Sequence, residues 1–170
     1  MNDAALTPAE LDVIGIGNAL VDVISHEDDG FVDRLGVPTG AMTLIDEQRA
    51  SEIYDSMGAA IEISGGSAAN TIVGVAALGG ASRYIGKVRN DQLGAVFAHD
   101  IRATGVHYDV AAATVGPSTG CCLVVVTPDA QRTMNTYLGA SVHLDPGDID
   151  AAAIRSAKVL YLEGYLFDPP

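Results

Sequence analysis

The chain has 170 residues, 48% of them hydrophobic, with 22 acidic against 9 basic side chains and a formal net charge of −13. That length suits one domain with a sizeable core, and the composition argues against a disordered chain. The charge argues against a nucleic-acid or anionic-membrane partner, both of which need clustered Lys and Arg, and no stretch approaches the roughly 20 apolar residues that span a bilayer.

Taken in chain order, the start MNDAALTPAELD is acidic and lacks an apolar centre, so no signal peptide is expected. Residues 11–16 read as a buried strand running into Gly15-Ile16-Gly17, and residues 21–25 continue extended. A polar turn at 26–30 precedes a short helical piece at 31–35. Residues 41–45 read as a strand, and Asp46 is placed to cap a helix through residue 57. A strand at 61–63 leads into a helix at 68–78, closed by Gly79-Gly80. A strand at 82–88 and a helix at 91–103 follow, with Gly105 just past its end. Residues 108–114, 120–127 and 132–138 are three extended runs, and Pro128-Asp129 marks a hairpin turn. A helix at 148–157 and a strand at 159–162 restore the alternation. The pattern is βα with a parallel sheet, interrupted by strands of a second layer.

Two strand ends carry small-molecule chemistry. In Ile63-Ser64-Gly65-Gly66-Ser67-Ala68-Ala69-Asn70-Thr71 a strand turns straight into a helix, and adjacent glycines let a backbone pass close to a ligand. The helix start offers unpaired N–H groups, and Asn70 adds an amide with two donors and an acceptor. In Gly15-Ile16-Gly17-Asn18-Ala19-Leu20-Val21-Asp22 an Asn again stands beside glycines, now with a carboxylate. Asp22 can accept from two neighbouring hydroxyls at once, as a ribose-like diol requires. A plain tight turn with a helix cap is the bland alternative for either corner.

The pieces GIGNALVD, SGGSAANT, YIGKVRNDQLG and QRTMNTYLGA, in that order, resemble the N-terminal half of the ribokinase-like (phosphofructokinase-B type) sugar and nucleoside kinases, with the adenosine-kinase branch most similar. The resemblance runs over nearly the whole chain. Two positions depart from the usual pattern: Arg89-Asn90-Asp91 lacks a second Gly before the Asp, and Ile72 stands where a small residue is common. The resemblance implies a three-layer αβα sandwich, incomplete at its C-terminal side, with a small β-sheet lid built from segments near residues 20–45 and 108–138. It implies transfer of the ATP γ-phosphate to a sugar or nucleoside hydroxyl, with adenosine favoured and ribose or fructose as alternatives. Asp22 would hold the ribose hydroxyls, and Asn18, Gly65, Gly66 and Asn70 would orient the ring. Arg132 matches a basic residue that meets the phosphates from the lid, and its fork geometry suits that task. Leu20, Met134 and Tyr165 are candidates for an apolar and aromatic slot around a base, although each fits ordinary core packing as well.

Other chemistries fail on spacing. Leu20 stands where a dinucleotide fingerprint needs its third Gly, and Val88 stands where a P-loop needs a hydroxyl. His26, His99, His107 and His143 are scattered without metal-ligand spacing, and no Gly-x-Ser-x-Gly occurs. Cys121 and Cys122, the only cysteines, would face opposite sides of a strand and make no disulfide, which points to a reducing, cytoplasmic setting. The family's C-terminal Gly-Ala-Gly-Asp element, carrying the catalytic base and an anion hole, does not occur; Asp145-Pro146-Gly147-Asp148 has neither its sequence nor its position. The chain is therefore expected to carry the substrate-binding part of a longer kinase and to be inactive alone, with a sheet edge exposed and a tendency to aggregate. ATP and Mg2+ sites would lie mostly in the missing half; monovalent-ion sites and oligomeric state stay open. A sugar- or nucleoside-binding module without chemistry is the alternative.

Overall fold

The computed structural model describes residues 11–167; the acidic first ten residues and Asp168-Pro169-Pro170 lie outside them. The apolar run β1 (Leu11–Ile16) is the middle of a three-stranded parallel sheet in the order β5-β1-β8, with β5 at Ser82–Ile85 and β8 at Ala157–Leu162. A second sheet of five strands has the order β3-β7-β6-β2-β4, formed by Met42–Leu44, Arg132–Tyr137, Gly120–Val126, Leu20–His26 and Ala60–Gly65. Helices α1 (Asp29–Leu35), α2 (Glu47–Ser56), α3 (Ser67–Ala77), α4 (Gln92–Ala103) and α5 (Ala151–Arg155) complete the fold.

The main core lies between the sheets. Val21, Val23 and Leu123 from the five-stranded sheet meet Ile53 of α2, Ala68, Ala69 and Ile72 of α3, and Phe97 and Ile101 of α4. Tyr84, Phe97 and Tyr108 form an aromatic knot with centroids 5.3–6.3 Å apart, and the Tyr108 hydroxyl donates to the Gly86 carbonyl at 2.9 Å. Ile72, unusual for its position, lies against Gly15: a Cβ at residue 15 would sit 2.4 Å from Ile72 Cγ1. A β1 backbone without side chain and a bulky α3 residue thus make one close contact.

The motif Arg89-Asn90-Asp91-Gln92-Leu93-Gly94 is a structural clamp. Asp91 Oδ1 caps α4 by accepting from Gly94 N at 2.8 Å and from the Thr119 hydroxyl at 2.6 Å, while Oδ2 accepts from Thr119 N at 2.9 Å. Any Cβ at Gly94 would lie 1.9 Å from the Arg89 carbonyl oxygen. Arg89, in place of the common Gly, donates from its guanidinium to the Gly116 carbonyl and so ties down the loop that feeds β6.

Three expectations need correction. Residues 108–114 form no strand; the only pairings here are single bridges, His107 just before the segment with Arg83 of β5 and Ala113 with Arg89, which lies beyond the strand. Tyr108 turns into the aromatic knot and Asp109 takes the Arg83 guanidinium at 2.7 Å, which pulls the chain out of register. The strand expected at 82–88 stops at Ile85; beyond it the Gly86 backbone packs close to the Gly17 carbonyl, and the Gly86 carbonyl accepts from the Tyr108 hydroxyl. The helix expected at 148–157 is only Ala151–Arg155, since Asp145 and Asp148 close a capping box around a separate 3-10 turn and Asp150 caps the helix afresh. Strand β4 pairs antiparallel with β2 in the five-stranded sheet.

Removing the clamp should be costly: Asp91→Ala is expected to lower stability by about 1–2 kcal/mol, read as a lower urea midpoint at unchanged m-value.

Candidate functional site

The two glycine motifs meet at one corner. Strand β2 runs antiparallel to β4, with Leu20 opposite Gly65 and Asp22 opposite Ile63. The Asp22 carboxylate lies flat on Gly65: a Cβ there would be 2.3–2.5 Å from its Cγ and both oxygens. Gly66, at φ +93, turns the chain into α3, and a Cβ on it would lie 2.4 Å from the Asn18 carbonyl oxygen. Asn18, Asp22, Gly65 and Gly66 therefore form one unit, although more than forty positions of sequence separate the motifs.

The unit is short of donors. Asp22 is half-buried, and burial alone pushes its carboxyl up to about 6. Asn18 is buried, and its Oδ1 has no donor among the described residues. Of the free N–H groups expected at the start of α3 one is taken, because Ala68 N donates to Glu163 Oε2 at 3.0 Å. Glu163, at the end of β8, gave no signal in the sequence; only the parallel register of β8 beside β1, with Leu162 opposite Ile16, carries it to α3. Asn70 stands one turn into α3 and is exposed, with its own N–H bonded to Gly66 O.

Strand alternation sets the remaining candidates. Leu20, Asp22 and Ile24 share one face of the five-stranded sheet with Cys122 and Val124 of β6, Arg132, Met134 and Thr136 of β7, Met42 and Leu44 of β3, and Ile61 and Ile63 of β4. Cys122 lies beside Asp22, receives the Thr136 hydroxyl at 3.4 Å and is pushed up to about 11 by burial, so it is a thiol lining the face. Cys121 points to the core side, as strand alternation requires. Leu20 is buried at the corner and Met134 is half-buried two strands away. Arg132 is exposed at the far end of β7, four register positions from the level of Asp22, or roughly 13 Å along the strand. Tyr165 is exposed in the turn Gly164–Phe167, next to Glu163. The structure thus gathers Asn18, Leu20, Asp22, Gly65 and Gly66, sets Asn70 and Tyr165 at the rim, and spreads Met134 and Arg132 along the open face.

This corner lies at the carboxyl ends of β1 and β8, where parallel α/β sheets bind ligands. A surface cavity of about 580 Å³ lies at the opposite, amino ends, lined by Leu11, Arg102, His107 and Tyr108 among others.

The pfkB family carbohydrate kinase profile matches residues 43–170. The chain belongs to this family. The adenosine kinase structure from Sinorhizobium meliloti superposes with a TM-score of 0.87 at 51% identity, over 95% of this chain and 50% of that one. A probable sugar kinase from Rhizobium etli CFN 42 matches equally well, at TM-score 0.87 and 51% identity over 95% of this chain and 49% of that one. Probable fructokinase-6, chloroplastic, of Arabidopsis thaliana is 32% identical over 99 residues, covering 57% of this chain and 26% of that protein. The pfkB-family chain therefore spans about half the length of these solved structures and about a quarter of this curated relative. The ribokinase-like α/β fold expected from the four motifs is the fold observed.

Membership implies ATP, generally with Mg2+. The side chains at the corner do not by themselves suit a triphosphate. Asp22 and Glu163 are acidic, and Lys87 is paired with Asp148. Among the described residues no group of three or more His, Cys, Asp or Glu is placed to hold a metal, and no helix is long and apolar enough to cross a membrane.

The raised Asp22 carboxyl makes a signed prediction. A group that folding raises destabilises the native state in its charged form, so the contribution of Asp22 to stability is fullest below pH 3.8, falls between there and about pH 6, and stays reduced above. Asp22→Asn is expected to gain on the order of 2–3 kcal/mol over the parent at pH 8, with the gain vanishing near pH 3.5. Urea midpoints at the two pH values check it.

Proposed function

We propose that this chain is the substrate-binding half of an ATP-dependent kinase acting on a nucleoside or sugar hydroxyl, with adenosine the favoured substrate. One observation carries the reading: Asp22 and Asn18 present half-buried and buried acceptors without donors, on a surface kept open by two glycines. A ligand with adjacent hydroxyls supplies those donors, whereas an anion would meet like charge at Asp22 and Glu163. The 51% identity to the Sinorhizobium meliloti adenosine kinase supports adenosine, while the fructokinase relatives support a free sugar as the second reading.

Within this reading Asp22 accepts from the two ribose hydroxyls and Asn18 orients the ring. Gly65 and Gly66 let the sugar lie against backbone, and Asn70 closes the side formed by α3. Leu20 and Met134, on the same sheet face, offer an apolar floor to a base, and Tyr165 a ring at the rim. Arg132 would have to approach from the far end of β7 to meet a phosphate. Phosphoryl transfer is chiefly positioning and charge stabilisation. This chain supplies the positioning of the acceptor; the general base, the phosphate cradle and the ATP and Mg2+ sites belong to the other half of the fold. A cytoplasmic enzyme of purine salvage is consistent with two free cysteines.

Calorimetric titration with adenosine, ribose and fructose tests the reading. Adenosine is expected to bind most tightly, with roughly 100-fold loss in Asp22→Ala, as two charge-assisted hydrogen bonds imply. Binding should also weaken below about pH 6 as Asp22 protonates. Tighter binding of fructose would favour the fructokinase reading, and affinity unchanged in Asp22→Ala would remove Asp22 as the sugar grip.

A further inference from the structure

Strand β4 ends the five-stranded sheet, in the order β3-β7-β6-β2-β4, so β2 is the one strand that pairs with it. That pairing sets Ser64 opposite Val21 and Gly65 opposite Leu20. An outer strand carries N–H groups that point away from its sheet and find no strand to accept them. Ser64 has such a group. Its backbone N donates to Asp100 Oδ2 at 2.7 Å, and its hydroxyl donates to the same oxygen at 2.8 Å. One carboxylate oxygen on α4 thus takes the place of a missing strand, at the residue next to Gly65.

Local preference does not put an acid there. Asp100 lies in the last turn of α4, where Thr104 N closes onto its carbonyl at 3.2 Å. A helix presents the negative end of its dipole in that turn, and carboxylates are disfavoured in it. Asp100 instead makes two bonds that reach 36 positions back along the chain. It is half-buried, and Ser64 is buried. Hydrogen bonds to a charged acceptor are roughly twice as strong as neutral ones, and partial burial strengthens them further.

These bonds hold the wall behind Asp22. Strand β2 is fixed from both sides, by β6 and by β4, whereas the outer side of β4 has Asp100. Gly65 comes so close to the Asp22 carboxylate that a Cβ on it would lie 2.3 Å from Cγ. A small outward drift of β4 would open that contact to water.

We propose that Asp100 is a positioning residue of the candidate site: by holding the backbone and hydroxyl of Ser64 from α4, it keeps Gly65 against the Asp22 carboxylate and keeps water out of the contact. Ser64 and Val21 face the core, opposite to Leu20 and Asp22, so Asp100 acts through Ser64 and does not reach the open face. Its consequence for sugar binding rests on the reading of Asp22 given above; its hold on Asp22 does not.

Carbon-detected NMR titration of the Asp22 carboxyl tests this hold without any ligand, with Asp22→Asn identifying the signal. The parent midpoint is expected at about 6. Asp100→Ala removes the acceptor, and the midpoint should fall by roughly one unit as water reaches the carboxylate. Asp100→Asn keeps a side-chain oxygen that can accept both bonds but drops the charge. Burial alone raises Asp22, so this variant should hold the parent midpoint. Ser64→Ala loses only the hydroxyl and should fall less; it carries the test if circular dichroism shows Asp100→Ala to be unfolded. A midpoint unmoved in every folded variant would overturn the proposal. An equal fall in Asp100→Asn and Asp100→Ala would also overturn it, because that is the effect of a charge and not of position. Adenosine should bind roughly 10-fold more weakly to Asp100→Ala and with near-parent affinity to Asp100→Asn. A parent chain that takes up no adenosine counts against the nucleoside reading, and the carboxyl titration still decides the role of Asp100.

Discussion

Everything at the candidate site depends on the contact between the β2 carboxylate and a glycine backbone on β4. Asp22 occupies the space that a side chain at residue 65 would need, and the Asn18 carbonyl occupies the space beside residue 66. Two stretches distant in sequence are thereby held within van der Waals contact, and the turn from β4 into α3 is set by the same pair of glycines. Burial of Asp22 against this backbone is also what raises its carboxyl. The folded chain carries a charge in a place that disfavours it, and the hydroxylated ligand proposed above would compensate it.

Around this contact the two sheets divide the work. The parallel sheet delivers β1 and β8 to the corner from below, with Glu163 tying the start of α3 to the end of β8. The five-stranded sheet turns one face to the core and leaves the other open, with Ile61 and Leu44 63% and 61% exposed on it. The exposed apolar side chains on that face and along β8 are where a partner, a ligand or the rest of a kinase fold has room to act.

Much of this was legible in the sequence because the local signals agreed. The glycine pairs, Asp46 as a cap, and the Pro128-Asp129 hairpin all lie where turn and cap chemistry put them. Residues 108–114 misled because alternation and β-branching describe a strand's tolerance rather than its partner; Tyr108 found a better place among aromatic rings. A helix start at Asp148 fits the local pattern, but a half-buried pair with Lys87 and a capping box with Asp145 make Asp148 end a separate turn. Glu163 was invisible because its bond spans 95 residues, a distance that no local pattern reports. Arg132 and Met134 share the Asp22 face of the five-stranded sheet, but their distance from Asp22 along it is a matter of register, which the sequence leaves open.

The contact between Gly15 and Ile72 ties two positions into one volume. The space that a methyl group at residue 15 would take is already filled by the isoleucine side chain of α3. A substitution at either position is therefore read through the other: alanine at 15 overpacks β1 against α3 while isoleucine stands at 72, and a shorter side chain at 72 makes room for it. Divergence at this spot is expected as exchange of bulk between strand and helix, so that a relative with a small residue on the helix is free to carry a side chain on the strand. The isoleucine that departs from the common pattern is then half of a matched pair, and its other half is the glycine that opens the first motif.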